Sequence, residues 1–298
     1  MISFLKLIRY KNLLMVLLTM VLTKYALIRS LLDLITHFDF AIIVLSVLLI
    51  TSGGYIINDI YDVSIDKINK PQKVYVGNSI SFKNAWISYF TLTIVGVLLG
   101  IYVSYNYHYS HSYSFYFIFS ALGLFLYSKY LKGLPLIGNL LISLLVGLSI
   151  YIISLFELPE GGLFVLISHL ESLRSDVLFY VQFAFFTTLI REIIKDIEDI
   201  DGDYKAGIKT LPILIGSKRA KNVIIIITAI VLVFFIREIN YDLLNNRSIF
   251  NYSFLLLLVL FLYFFYRLWK TNTKKEFRFL SNLMKVIMLS GILSMIFY

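Results

Sequence analysis

Nine long apolar runs, separated by short charged connections, limit what this chain can become. They lie at about 12–32, 38–57, 84–105, 113–131, 134–156, 176–195, 221–240, 250–269 and 281–298, and each is long enough for a helix to cross a bilayer. Lipid offers no partner to a backbone N–H or C=O, so only helices and closed barrels span it. No run shows the strict alternation of a barrel strand, which leaves helices. Composition agrees: 59% of residues are hydrophobic and 15% charged, with a mean hydropathy of +0.83. A soluble domain is nearer half apolar and a quarter charged. The expectation is an all-α polytopic membrane protein, a nine-transmembrane-helix bundle over residues 1–298 as one domain, with the lipid bilayer as its solvent. No run of small residues follows the first apolar run as a cleavage site, so the sequence predicts no removed signal peptide.

The net charge of +9 has two readings, nucleic-acid binding or basic cytoplasmic loops. Charge sorting decides for the loops and against a nucleic-acid partner. With the N-terminus inside and sides alternating, Lys6, Arg9 and Lys11 fall inside, as do Lys67, Lys70, Lys73 and Lys83, then Lys129 and Lys132. The next inside segments hold Arg191 to Lys221 and Arg267 to Lys285. Only Lys24, Arg29, Arg174, Arg237 and Arg247 fall elsewhere. Such a bias sets both helix number and orientation. There is no cysteine, which excludes disulfides and thiolate metal sites. The histidines His37, His108, His111 and His169 fall in or near outer loops and are read as solvated.

Two acidic clusters end apolar runs on the inside face. The first is Asn58-Asp59-Ile60-Tyr61-Asp62-Val63-Ser64-Ile65-Asp66. Asn58, Asp62 and Asp66 are four apart, which stacks three oxygen ligands on one face of a helix. The second is Asp196-Ile197-Glu198-Asp199-Ile200-Asp201-Gly202-Asp203, where Asp199 and Asp203 repeat the spacing. Carboxylate and amide oxygens suit a hard cation, and Mg²⁺ binds through one or two carboxylates plus substrate phosphates. A solvated loop is the bland reading, but charges at membrane depth are costly and usually functional. The second cluster superficially resembles a calcium loop, yet lacks the Glu at position twelve. Its Asp201-Gly202 pair predicts a turn. Gly53-Gly54, just before the first cluster, predicts close helix packing, and Pro135 is placed in the first turn of the fifth span.

A basic element, Tyr127-Ser128-Lys129-Tyr130-Leu131-Lys132-Gly133-Leu134-Pro135, joins the fourth and fifth spans. Its lysines either anchor the topology or contact phosphate.

Together these stretches resemble the UbiA superfamily of intramembrane prenyltransferases. Asn58-Asp59-x-x-Asp62-x-x-x-Asp66, followed by Asn69-Lys70-Pro71, is similar to the family's first aspartate-rich motif. Asp199-x-x-x-Asp203 with Gly207, Thr210 and Leu211-Pro212 is similar to its second, and Tyr127 to Lys132 to its Tyr/Lys element. Arg9 and Asn12 match the basic start of its first helix. The resemblance implies nine helices around a central cavity. It implies Mg²⁺ bound by Asn58, Asp62, Asp66, Asp199 and Asp203, with Asp59 and Asp196 as additional acids. It implies Tyr127 and Lys132 at the reacting centre, and Arg9, Asn12, Lys73, Arg191 and Lys195 on substrate. Lys73 departs from the pattern: many members have Arg followed by Pro, and here Val74 follows a Lys, which lacks the bidentate fork.

The implied partners are a prenyl diphosphate and a lipophilic acceptor. The Arg191 to Pro212 string looks closest to the geranylgeranylglycerol-phosphate geranylgeranyltransferase branch, which alkylates a lipid hydroxyl. Branches that alkylate an aromatic quinone precursor or haem share the metal motifs. A cation-coupled transporter is the rival from another class, with acids expected nearer the bilayer midplane.

Overall fold

The computed structural model describes residues 2–28, 34–69, 71–106, 111–157, 171–244 and 248–297. A short helix α1 (Ile2–Leu7) leads into α2 (Tyr10–Leu22), which continues as a π-helical turn over Thr23–Ile28. Then come α3 (His37–Asn69), α4 (Phe82–Asn106), α5 (Ser114–Lys129) and α6 (Ile137–Phe156). The second half holds α7 (Glu171–Glu198), the short α8 (Ile200–Lys205) and α9 (Leu211–Ile215), then α10 (Ser217–Leu244), α11 (Ser248–Lys270) and α12 (Lys274–Ser294). Over the described residues, each predicted run coincides with one long helix. Eight of these helices pass a length-and-apolarity test for crossing a membrane. The ninth, α5, has 16 residues, about 24 Å of helix. The chain is an integral, polytopic membrane protein.

α3 packs along α4 and α5, α6 lies on α7, and α7 also touches α10 and α12. α12 closes the ring against α2. Large apolar side chains such as Leu14, Leu98, Val233 and Trp269 point outward, as expected where the surroundings are hydrocarbon. Lipid tails are as apolar as leucine, so burial alone does not draw such helices together. Close backbone approach does. Gly53 and Gly54 provide it as expected: a Cβ on Gly53 would overlap Thr93 of α4, and one on Gly54 would lie 2.7 Å from Leu124 of α5.

Several local expectations are corrected. Pro135 is not in the first turn of α6; it precedes Leu136, whose φ of 63° sets the entry angle, and the helix starts at Ile137. Asp201-Gly202 is not a turn but part of α8, and the left-handed residue is Gly207 at φ 71°. Lys285, grouped above with the inner loops, sits eleven residues into α12 at mid-span and lines the central cavity. His111 and the Tyr25-bonded His37 are exposed; His108 and His169 lie outside the described residues.

Candidate active site

Both acidic clusters open into one cavity of about 790 Å³ within the bundle. α3 does not stop at the lipid edge but runs on through Asn69. That places Asn58, Asp62 and Asp66 on one stripe, and all three line the cavity with Asp59. Across it, α7 contributes Arg191, Glu192, Lys195 and Asp196. α7 then breaks at Asp199, and α8 restarts the helix. The Asp203 N–H still reaches the Asp199 carbonyl at 3.1 Å, so both carboxylates keep facing the cavity.

The other predicted residues converge on the same space. Arg9 has φ 51°, which separates α1 from α2. Its guanidinium donates to Asp59 at 2.8 Å and lies 4.8 Å over the Tyr55 ring. Asn12 donates to the Tyr55 hydroxyl at 3.3 Å. Tyr127 and Lys132 line the cavity from α5 and the turn after it. That turn sits close because residue 138 is glycine, where a Cβ would meet the Leu131 carbonyl and Lys132 Cα at 2.9 Å. The Lys209 N–H donates to the Gly133 carbonyl at 3.3 Å, tying the turn to the loop after α8. The side chain of Lys73 and all of Lys70 lie outside the described residues.

The cavity is dense in paired charge. Lys132 forms an ion pair with Asp62, whose other oxygen accepts from Asn58 at 2.8 Å. Glu192 accepts from Lys195 at 2.6 Å and from Arg191 at 3.0 Å. Asp196 accepts from Asn139 of α6 at 2.8 Å. Burial pushes the Lys132 ammonium down to about 8, opposed only in part by Asp203 and Asp59.

Besides Asp62 Oδ1, which meets the Lys132 ammonium, three buried polar atoms of cavity-lining residues have no hydrogen-bond partner among the described residues: Arg191 Nε, Thr188 Oγ1 and Thr210 Oγ1. Leaving such a group unsatisfied costs about 1–3 kcal/mol each. A stable fold carries that cost where a ligand will complete the bonds. Thr188 and Glu192 were not among the predicted site residues. A threonine inside an apolar helix reads as an ordinary core position, and only its unmet hydroxyl marks it.

The donor set fits Mg²⁺, since it is oxygen throughout, and the Lys132 ammonium sits against Asp62 where a cation would. Among the described residues, no three acidic or histidine side chains close around a single point. That suits an ion that takes one or two carboxylates and completes its shell with phosphate oxygens and water.

A model of the UbiA prenyltransferase family matches residues 13–289, nearly the whole chain. The chain belongs to the UbiA prenyltransferase family. Among curated relatives, this UbiA-family chain is 31% identical over 254 residues to digeranylgeranylglyceryl phosphate synthase of Methanosphaera stadtmanae, covering 84% of each chain. It is 36% identical over 185 residues to the protein of that name from Saccharolobus solfataricus, covering 62% of this chain and 60% of that one. A solved structure of a digeranylgeranylglyceryl phosphate synthase superposes with a TM-score of 0.69 at 23% identity, covering 99% of this chain and 96% of that one. A UbiA homologue from Archaeoglobus fulgidus, solved with GPP and Mg²⁺, superposes with a TM-score of 0.66 at 14% identity, covering 98% and 99%. Family membership displaces the transporter reading.

Proposed function

We propose that this chain catalyses Mg²⁺-dependent transfer of a prenyl group from a prenyl diphosphate to the hydroxyl of a glycerol-phosphate prenyl ether lipid. The observation that carries this reading is the single cavity that joins two acidic clusters to an apolar shaft. Relatives at 31% and 36% identity bear the name digeranylgeranylglyceryl phosphate synthase, which favours the lipid hydroxyl over aromatic acceptors. Asn58, Asp62 and Asp66 on one wall and Asp199 and Asp203 on the other would hold the metal. When bound, Mg²⁺ supplies charge neutralisation to the departing diphosphate. The unpartnered Arg191 Nε, Thr188 and Thr210 hydroxyls are placed to take phosphate oxygens. Lys132 and Lys195 add positive charge on either side, and Arg9 and Asn12 fix the Tyr55 wall beside them.

The reaction breaks the bond between the prenyl C1 and the diphosphate oxygen. The allylic cation is shielded from water by the shaft below, and aromatic faces such as Tyr127 stabilise it. The acceptor oxygen then bonds to C1, and its proton passes to diphosphate or a cavity carboxylate. The test is product analysis with purified protein, Mg²⁺, several prenyl diphosphates and a panel of lipid and aromatic acceptors. Ether formation on the glycerol-phosphate lipid is expected. Alkylation of an aromatic acceptor alone would reassign the acceptor, and no transfer at all would overturn the reading.

Lys132→Gln should lower turnover about ten- to a hundredfold, since a charge-assisted phosphate contact is worth roughly 1.5–3 kcal/mol. Lys129→Gln is the control. Lys129 is exposed and lies over the rings of Phe125 and Tyr130. Equal kinetics for both variants and wild type would remove Lys132 from phosphate handling.

We further place the site at the cytoplasmic face, on the strength of the basic loops that surround it. Ser112, in the helical turn His111–Tyr113 before α5, serves as the outer reporter. In this cysteine-free chain, Ser217→Cys should label only from the cytoplasm and Ser112→Cys only from outside. Labelling of both from one side would refute the orientation.

A further inference from the structure

The charges that line the cavity are divided between its walls. Among the described residues, every carboxylate that lines it stands on α3, on α7 or in the stretch from Asp199 to Asp203. α1, α2 and α12 contribute Lys6, Arg9, Lys11 and Lys285, and no acid. Arg9 reaches across to Asp59 at 2.8 Å. Lys11 and Lys285 both line the cavity and are exposed. A wall of carboxylates takes a phosphate through a metal ion. A wall of ammonium groups without carboxylates takes it directly.

Helix register gives the height of Lys285. α12 begins at the acidic end of the bundle, where Arg278 Nε lies 3.7 Å from Glu198. It runs parallel to α2 as far as the contact of Thr23 with Met295. Ten residues back on each helix, Lys285 is level with Leu13, three residues into the membrane span that starts at Tyr10. Asn12 meets Tyr55 of α3 at 3.3 Å, so Asp62 stands about 10 Å nearer the acidic end than this level. Against α7 the run is antiparallel. The Tyr180 hydroxyl bonds Ser294 at 2.8 Å, and a Cβ on Gly291 would lie 2.5 Å from Phe183 Cζ. That register sets Lys285 level with Leu189 and about 3 Å from the level of Arg191, which lines the cavity. Cβ atoms tilt toward the N-terminus of their own helix, so on antiparallel helices these two side chains lean toward one another's level. Arg191 spends a terminal nitrogen on Glu192 at 3.0 Å, and its buried Nε has no partner among the described residues.

We infer that Lys285, with Arg191 Nε and Lys11, forms a second anion subsite that takes the phosphate of the acceptor lipid and selects acceptors that carry one. The inference rests on the prenyl-transfer reading above. The donor's diphosphate is gathered by metal at the carboxylate walls, so the anion left for the basic wall is the acceptor's headgroup. Depth agrees with this. A lipid keeps its phosphate at the edge of the hydrocarbon, and Lys11 and Lys285 both stand beside the first turn of the α2 span. Below Lys285 the same face of α12 turns apolar, with Met288 and Ile292. The lysine supplies a point charge, and the arginine Nε a directed N–H, to a phosphomonoester. An acceptor without phosphate leaves this wall unfilled, and Arg191 Nε then stays buried without a bond.

The test compares two acceptors that differ only in the phosphate: the glycerol-phosphate prenyl ether and its dephosphorylated diol. Purified protein is assayed with Mg²⁺ and a saturating prenyl diphosphate. The ratio is taken within each variant, so the amount of folded protein cancels. Wild type should favour the phosphate-bearing acceptor. Lys285→Gln should lower that preference about tenfold by raising the acceptor KM, with the KM for prenyl diphosphate unchanged. Lys285→Arg, which keeps the charge, should retain the preference. Lys275→Gln is the control, since Lys275 is exposed on α12 outside the cavity. A second readout needs no turnover. Because the basic wall uses no metal, the phosphate-bearing acceptor should raise the Tm of wild type in EDTA, and that of Lys285→Gln less. Stabilisation by a non-hydrolysable prenyl thiolodiphosphate should instead require Mg²⁺. An unchanged acceptor preference in Lys285→Gln would overturn the subsite while leaving prenyl transfer intact. So would a rise in donor KM in its place, or equal stabilisation by a phospholipid that lacks the acceptor hydroxyl. No transfer to either acceptor by wild type would overturn the prenyl-transfer reading, and stabilisation in EDTA then decides the subsite alone.

Discussion

Asp62→Ala and Asp199→Ala are each expected to abolish measurable turnover while leaving the helical bundle folded. Asp62 lies on α3 and Asp199 at the break after α7, on opposite walls of one cavity. No single point in the described residues gathers three acidic side chains, so on the proposed reading Asp62 and Asp199 would each hold Mg²⁺ only together with the bound diphosphate. Loss of either wall then removes charge neutralisation worth several kcal/mol in the transition state. At 1.36 kcal/mol per tenfold, about 4 kcal/mol is roughly a thousandfold in rate. The two substitutions should also fail to add. Once one wall is gone the shared ligand is lost, so the double variant should be no slower than the worse single one. Steady-state kinetics across a Mg²⁺ titration check this. Near-normal turnover of either variant at limiting Mg²⁺, or full additivity of the two, would mean that the clusters do not act as one site.

The span pattern was legible because lipid enforces it: a helix in hydrocarbon must be apolar for about twenty residues, and nothing else in a chain looks like that. The acidic clusters were legible for the converse reason. Charges abutting such a run are conspicuous, and their spacing of four survives into α3 as a real stripe. Asn58, Asp62, Asp66, Asp199, Asp203, Arg9, Asn12, Tyr127, Lys132, Arg191 and Lys195 all reach one cavity.

What the sequence hid is local backbone and long-range pairing. Asp201-Gly202 reads as a turn from its residue types, yet the Asp203 and Gly202 N–H groups bond back to the Asp199 carbonyl and start α8, which runs to Lys205. Thr188 and Thr210 look like any hydroxyls, and only burial without a partner among the described residues sets them apart. Lys285 was assigned to a loop because charge counting places lysines at the nearest membrane edge. The capping box of Thr273 and Glu276 instead starts α12 at Lys274, well before that residue.

One more long-range pair carries the largest stability prediction. Lys24 and Glu157 are 133 residues apart and form an ion pair with both side chains 3% exposed. Lys24 sits in the π-helical turn that ends α2, and Glu157 directly follows α6. From Arg9 to Lys24 is about 22 Å of helix, so the pair lies at the end of the bundle opposite the acidic site. Lys24 also donates to the Ile35 carbonyl at 3.2 Å, and Glu157 accepts from the Leu34 N–H at 3.0 Å. The pair therefore ties α2, the entry to α3 and the end of α6 together. Removing one partner leaves a buried charge, which costs about 3–5 kcal/mol, whereas replacing both by groups of similar volume is often neutral. Lys24→Met and Glu157→Gln should each destabilise the protein by about that amount. The double variant should recover most of the loss, because the glutamine carbonyl can still accept from Leu34 while no unpaired charge remains. Since membrane proteins often unfold irreversibly, the comparison is of inactivation half-lives in one detergent at one temperature. Single variants as stable as wild type would show that water or lipid headgroups solvate the pair. A double variant as weak as the sum of the singles would show that the charges themselves, rather than their pairing, hold this end of the bundle closed.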